Sequence, residues 1–250
     1  MRNYRIDLKQ GQTSPPIVVG IAATFIQTVS STLGRPVSVL DVGCGSGLIM
    51  QMIKEQTGCI SSCIGIDYSP FVVEALQQKD IYNQAIFSKA SVLPFQDKTF
   101  DCVLSIECLE HLYSNHVVQS LNELQRVANY IFISTPTIRY VINQGWLNQE
   151  IAEAVDDPDP IDFDEFCSLE GAVHKSTVYP GSMLNAGFER DPHSDATSEF
   201  YFGKSYLIDT NLIECVGIER HSIDLSKNDY RQDYIELLKN SLQLDERIVK

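Results

Sequence analysis

The chain has 250 residues, 44% hydrophobic and 21% charged, enough to bury a sizeable core as one large domain or two small ones. Its 19 basic and 33 acidic side chains leave a formal charge of -14, which repels phosphate backbones and argues against electrostatically driven nucleic-acid binding. The excess is uneven, since residues 1–136 hold 9 basic and 11 acidic side chains and residues 137–250 hold 10 and 22.

The 7 cysteines form an odd set without a CxxC pair, so the expectation is reduced thiols in a cytoplasm, not a disulfide framework or a zinc ribbon. An apolar run from Ile17 to Ile26 follows Arg2, Arg5 and Lys9, but Asp7 and Pro15-Pro16 break the layout of a secretory leader. The run reads instead as part of an amphipathic helix from Pro16 to Leu33 with Gly34 as its stop. No stretch reaches the roughly 18 apolar residues of a membrane span.

From Pro36 strands and helices alternate. The β-branched run Val37–Val42 ends in Gly43-Cys44-Gly45-Ser46-Gly47, and helical spacing follows from Leu48 to Gln56. Cys63–Asp67 reads as a second strand, and Ser69-Pro70 opens the next helix. Gln84–Phe87, Phe100–Ile106 and Tyr130–Thr135 supply further strands, with an amphipathic helix from Asn115 to Val127 before the last. This rhythm predicts a mostly parallel sheet covered on both faces, binding ligands beyond the carboxyl ends of its strands. After Pro136 it lapses. Residues 150–165 hold eight acids and no basic residue, and read as a solvated surface segment. A short helix is expected within Val178–Phe188, and Phe200–Ile208 and Leu212–Ile218 as two antiparallel additions at a sheet edge.

Glycine at the first turn lets a backbone approach a ligand closely, and Asp67, 20 residues beyond Gly47, can accept from both hydroxyls of a ribose. A nicotinamide fingerprint wants a third glycine where this chain has Leu48. The segments V-L-D-V-G-C-G-S-G (Val39–Gly47), I-G-I-D-Y-S (Ile64–Ser69) and L-P-F-Q-D-K-T-F-D-C-V (Leu93–Val103) resemble the successive motifs of class I S-adenosylmethionine-dependent methyltransferases, of the methyltransferase-11 and ubiquinone O-methyltransferase type.

That resemblance covers roughly residues 36–136. It implies a Rossmann-like α/β fold with a seven-stranded sheet in three α/β/α layers and a substrate-cap insertion after the fifth strand. It divides the chain into an N-terminal helical segment (1–35), a cofactor core (36–136), an acidic cap (137–190) and C-terminal strands and a helix completing the sheet (191–250). It also implies S-adenosyl-L-methionine as cofactor, touched by Asp41, which orients the loop and approaches the methionine end, by Gly43, Cys44 and Gly45 at the loop, Asp67 at the ribose, Tyr68, Ala90 and Ser91 around the adenine, and Ile106 at the methionyl amino group. Lys89 departs from the pattern, because many relatives carry there an acid that accepts from the adenine amino group, and a lysine only donates.

The fourth strand runs into Glu107-Cys108-Leu109-Glu110-His111. In a helix, positions 107, 110 and 111 share one face, and two carboxylates with an imidazole suit a hard or borderline divalent ion. The E-x-x-E-H spacing is similar to one in ubiquinone-pathway O-methyltransferases and in small-RNA 3'-terminal 2'-O-methyltransferases, where it serves metal binding. Resemblance to the latter adds His174 to Glu107, Glu110 and His111 as ligands of magnesium or zinc. The alternative, common to class I enzymes without metal, is that Glu110 and His111 act directly on the acceptor.

The reading that results is methyl transfer to a hydroxyl or amine of a small molecule, a cationic one if the acidic half faces it, without nucleic acid or a membrane span. RNA 3'-terminal 2'-O-methylation and a non-catalytic partner subunit of the same fold are the alternatives.

Overall fold

The computed structural model describes residues 16–137, 174, 176–195 and 198–217. The acidic run 150–165 and the expected C-terminal helix lie outside them. Helix α1 (Pro16–Leu33) ends at Gly34, whose φ of 68° is the left-handed stop that glycine permits. It is followed by β1 (Val37–Val42), α2 (Leu48–Gln56), β2 (Ile60–Asp67), α3 (Pro70–Gln77), β3 (Gln84–Phe87) and β4 (Phe100–Ile106). A single 3-10 turn (Leu109–His111) leads to α4 (Ser114–Val127) and β5 (Ala128–Pro136), and then come β6 (Ser176–Val178), α5 (Pro180–Asn185), β7 (Glu189–Arg190), β8 (Ser198–Lys204) and β9 (Cys215–Gly217).

Local chemistry accounts for the first half. Ser69 caps α3 by accepting from the Val72 amide at 3.4 Å, with Pro70 in the first turn where its missing N–H costs nothing. Every residue of β4 is buried, as befits a central strand covered on both faces.

The main sheet has seven strands in the order β3-β2-β1-β4-β5-β8-β7. The first five are parallel, while β8 runs antiparallel to both β5 and β7. One face packs on α1, α2 and α3 through residues such as Ile26, Met50 and Leu76, the other on α4 and α5 through Leu121, Leu124 and Met183. The fold is the expected three-layer Rossmann-like sheet. Between β1 and β4 the winding reverses, which opens a crevice beyond their carboxyl ends.

Two expectations for the second half change. The strand predicted for Leu212–Ile218 does not join the main sheet: its observed core, β9, pairs with β6 in a separate two-stranded sheet. The strand predicted for Phe200–Ile208 starts at Ser198 and stops at Lys204, and the chain then turns into a short 3-10 segment at Ser205–Leu207. The seventh strand is the two-residue β7. Among the described residues no helix is long and apolar enough to cross a membrane.

Candidate active site

The glycine loop and the tip of β2 are fastened to each other. Amides of Gly43 and Cys44 donate to the Ile66 carbonyl at 2.8 and 2.9 Å, and the Gly45 amide donates to Asp67 Oδ2 at 3.0 Å. The other oxygen of Asp67 accepts from the Ser69 amide at 2.8 Å. Asp67 thus orders the loop as well as lying where a ribose is expected, and burial raises its carboxyl above the ordinary range. Gly43, Gly45 and Gly47 all have φ between 50° and 78°, a backbone that side-chain-bearing residues rarely adopt. A Cβ on Gly45 would meet nothing within 4 Å, so that part of the loop borders open space.

Asp41 is 5% exposed and accepts from the Tyr82 hydroxyl at 2.6 Å. Burial pushes its carboxyl up to about 6, against the lowering effect of that hydrogen bond. Tyr82 has no motif around it in the sequence. Its role emerges only because the loop before β3 folds beneath the glycine turn, with its ring near where side chains on Gly47 and Gly65 would project.

Tyr68 and Phe87 are both exposed, with rings stacked at 5.6 Å and 22° between planes. Ala90 and Ser91 follow Phe87 and are half-buried, and Ile106 is buried at the end of β4. The loop after Ala90 is held by α4: Glu123 accepts from the Leu93 amide at 2.7 Å, and Arg126 donates to the Leu93 and Phe95 carbonyls at 3.0 and 2.6 Å.

Beyond β4 the structure gathers Glu110, His111 and His174, one ligating atom of each lying within 4.8 Å of the others. Glu107 does not join them. A helix would have brought it onto their face, but the helical turn begins only at Leu109, and Glu107 stands before it with φ at 48°. Its amide donates to the Ser134 carbonyl at 3.0 Å and its carboxylate accepts from the Ser134 hydroxyl, so β5 draws it away. Burial raises its carboxyl to about 6.

Glu110 is 2% exposed. One oxygen accepts from the Thr135 hydroxyl at 3.4 Å, whereas Oε1 has no hydrogen-bond partner and lies 3.8 Å from His111 Nε2. Burial, reinforced by the charge of Glu107, pushes the Glu110 carboxyl well above its ordinary range. The rings of His111 and His174 meet edge to face at 5.0 Å. Burial and the neighbouring His111 hold His174 down to about 3, so it is neutral with a lone pair to offer.

A family model described as a methyltransferase domain matches residues 40–129. Residues 40–129 thus form a methyltransferase domain, and the sheet that carries it is that of the class I fold. Norajmaline N-methyltransferase of Rauvolfia serpentina is 30% identical over 123 residues, 47% of this chain and 41% of that one. The 18S rRNA (guanine-N(7))-methyltransferase bud23 of Schizosaccharomyces pombe is 31% identical over 99 residues, 39% of this chain and 35% of its own. The chain spans less than half the length of these curated relatives. Among solved structures, WbdD in complex with the kinase inhibitor LY294002 superposes with a TM-score of 0.51 at 14% identity, over 76% of this chain and 41% of that one. At that identity the likeness concerns the fold. The methyltransferase domain therefore has its glycine loop, its Asp67 tip and the Glu110–His111–His174 cluster on one rim of the sheet.

Proposed function

We propose that this chain transfers a methyl group from S-adenosylmethionine to a hydroxyl or amine of a small molecule. The observation that carries the reading is the pairing, across the crevice between β1 and β4, of an open glycine loop with a half-buried cluster able to handle a proton. The acceptor's lone pair attacks the methyl carbon in line, the S–CH3 bonding pair returns to sulfur, and the acceptor's proton leaves. Glu110 and His111 stand where that proton can be taken up, so the catalytic contribution is alignment, exclusion of water and acid–base work.

The cluster also suits a divalent ion. Oε1 of Glu110 is a buried polar atom without a hydrogen-bond partner, and the 3.8 Å that separates it from His111 Nε2 is too long for a hydrogen bond. Glu110, His111 and His174 would hold the ion, and two imidazoles with one carboxylate favour zinc over magnesium. Such an ion supplies Lewis acidity that lowers the pKa of an acceptor hydroxyl.

The norajmaline relative, named for N-methylation of a small molecule, supports the substrate class. Terminal 2'-O-methylation of RNA is the second reading, because the cluster contains three of the four residues on which the likeness to small-RNA enzymes rests. The formal charge of -14 opposes it. Six cysteines, Cys44, Cys59, Cys63, Cys102, Cys108 and Cys215, are free thiols, which suits the cytoplasm as the compartment. Transfer of labelled methyl from S-adenosylmethionine to a panel of phenols and amines, run beside RNA oligonucleotides, tests the proposal. Labelling of RNA alone replaces it with the second reading, and a protein that binds no S-adenosylmethionine is a non-catalytic partner.

Two cofactor-side predictions follow from the geometry. Asp67→Ala removes the acceptor for ribose hydroxyls and unfastens the Gly45 amide, so S-adenosylmethionine affinity should fall by about 1–3 kcal/mol in calorimetry. Affinity should also fall as pH drops through about 6, because protonated Asp41 no longer attracts the cofactor's ammonium. The expected weakening is about tenfold between pH 7 and 5, with proton release on binding at the lower pH, and a flat profile would separate Asp41 from the methionyl end.

A further inference from the structure

Tyr82 is 8% exposed and lies in a slot left by two glycines. Asp41 on β1 is in register with Gly65 on β2, and a Cβ on Gly65 or on Gly47 would come within 3.2 Å of the Tyr82 ring. The missing side chains let the ring lie against the turn, where its hydroxyl donates to Asp41 Oδ2 at 2.6 Å. The segment that carries Tyr82 is fastened on both sides. The Lys54 ammonium donates to the Ile81 carbonyl, the Asn83 amide donates to the Cys63 carbonyl at 2.8 Å, and the Cys63 amide donates to Asn83 Oδ1 at 2.7 Å. No other donor among the described residues reaches the Asp41 carboxylate, which leaves Oδ1 to a ligand.

The titratable groups that face Asp41 are Tyr82, Asp67 and Cys63 of β2, Cys44 of the glycine turn and Cys108 after β4. Burial pushes the three thiols up, so they are neutral, and the charge of Asp67 opposes a second charge at Asp41. No lysine or arginine is among these neighbours, and Tyr82 alone of them favours the carboxylate. Burial and the charge of Asp41 push the Tyr82 phenol up as well, so its hydroxyl keeps its proton and donates throughout the neutral range. We infer that Tyr82 is a positioning residue for the methyl donor: its hydroxyl keeps Asp41 ionised and fixes its orientation, so that Oδ1 takes the methionyl ammonium. The inference rests on the proposed S-adenosylmethionine reading and gives the loop before β3 a part in binding the donor that the glycine-loop motif does not contain.

The test is calorimetric titration of the full chain between pH 6 and 9 with S-adenosylhomocysteine, which has the ammonium, and with 5'-methylthioadenosine, which lacks it. Tyr82→Phe keeps the ring in its slot and removes only the donor. A hydrogen bond to a charged group is equivalent to about one to two pH units, so the midpoint for S-adenosylhomocysteine should rise from about 6 to about 7–8. Relative to the wild type, its affinity should fall by about threefold to twentyfold at pH 6.5 and return to within about twofold at pH 9. Binding of 5'-methylthioadenosine should differ by less than about twofold between the two proteins at every pH. In an Asp41→Asn background, Tyr82→Phe should change S-adenosylhomocysteine affinity by less than about twofold. An equal loss for both compounds, a loss that alkaline pH does not reverse, or no loss at all makes Tyr82 a packing residue and overturns the assignment. A wild type that binds neither compound overturns the proposed function itself.

Discussion

Alanine at Glu110 or at His111 is expected to abolish methyl transfer, by about a hundredfold or more, while leaving S-adenosylmethionine affinity within about twofold of the wild type. The selectivity follows from position. Both residues lie beyond β4, while the glycine loop and Asp67 are tied to each other through β1 and β2. Glu110 is 2% exposed with an oxygen that no hydrogen bond satisfies, so the fold gains little from its charged form and removing it leaves only the Thr135 hydroxyl short of an acceptor. A carboxyl placed at such a cost fits the proposed chemistry better than it fits packing. Glu110→Gln keeps the shape and should be as inactive as the alanine variant. Initial rates, calorimetry and elemental analysis of the same samples separate the two ways the cluster can work. Loss of bound zinc in Glu110, His111 and His174 variants alike assigns it to the ion, whereas inactivity of the Glu110 and His111 variants in metal-free protein assigns it to direct proton transfer. Full activity in both would remove Glu110 and His111 from the mechanism.

How far this site can be read without coordinates depends on how local each signal is. The turn after β1, the cap at Ser69 and the burial of β4 are written in neighbouring residues, and Val37–Val42, Gln84–Phe87 and Phe100–Ile106 have the expected bounds. Glu110 and His111 are adjacent and were legible as a pair. Glu107 was not, because a left-handed glutamate is imposed by β5 through Ser134, and nothing between residues 107 and 111 announces it. His174 is 63 positions beyond His111, so only family likeness, not spacing, could name it. Tyr82 escaped for the same reason as β7: a tyrosine before a strand and a two-residue strand carry no periodicity, and their places are fixed by what packs on them. The pairing of β9 with β6 was hidden likewise, since an antiparallel partner is chosen by the fold around it.

Gly43 links the two halves of the rim, and alanine there should damage both. Its φ of 78° costs an alanine about 1–2 kcal/mol. The added Cβ would fall 2.5 Å from Cys108 Sγ and 2.7 Å from Cys108 Cβ. Rotation about χ1 can move the sulfur aside but not the Cβ, so the turn after β4 itself has to shift, at about 1–3 kcal/mol more. Together these predict a loss of about 2–5 kcal/mol and a melting temperature lower by about 5–15 °C. Because Cys108 sits between Glu107 and Glu110, the displacement reaches the cluster as well as the loop, and both kcat and cofactor affinity should fall. Gly45→Ala gives the contrast: its Cβ meets no protein atom within 4 Å, so it bears the backbone cost alone, and its larger effect should be on binding of the cofactor proposed to fill that space. Cys108→Gly combined with Gly43→Ala should recover about 1–3 kcal/mol relative to additivity, since it removes both clashing atoms. Strict additivity of the two substitutions in thermal melts would mean that loop and turn do not press on each other, and that the donor and acceptor sides of the crevice are built independently.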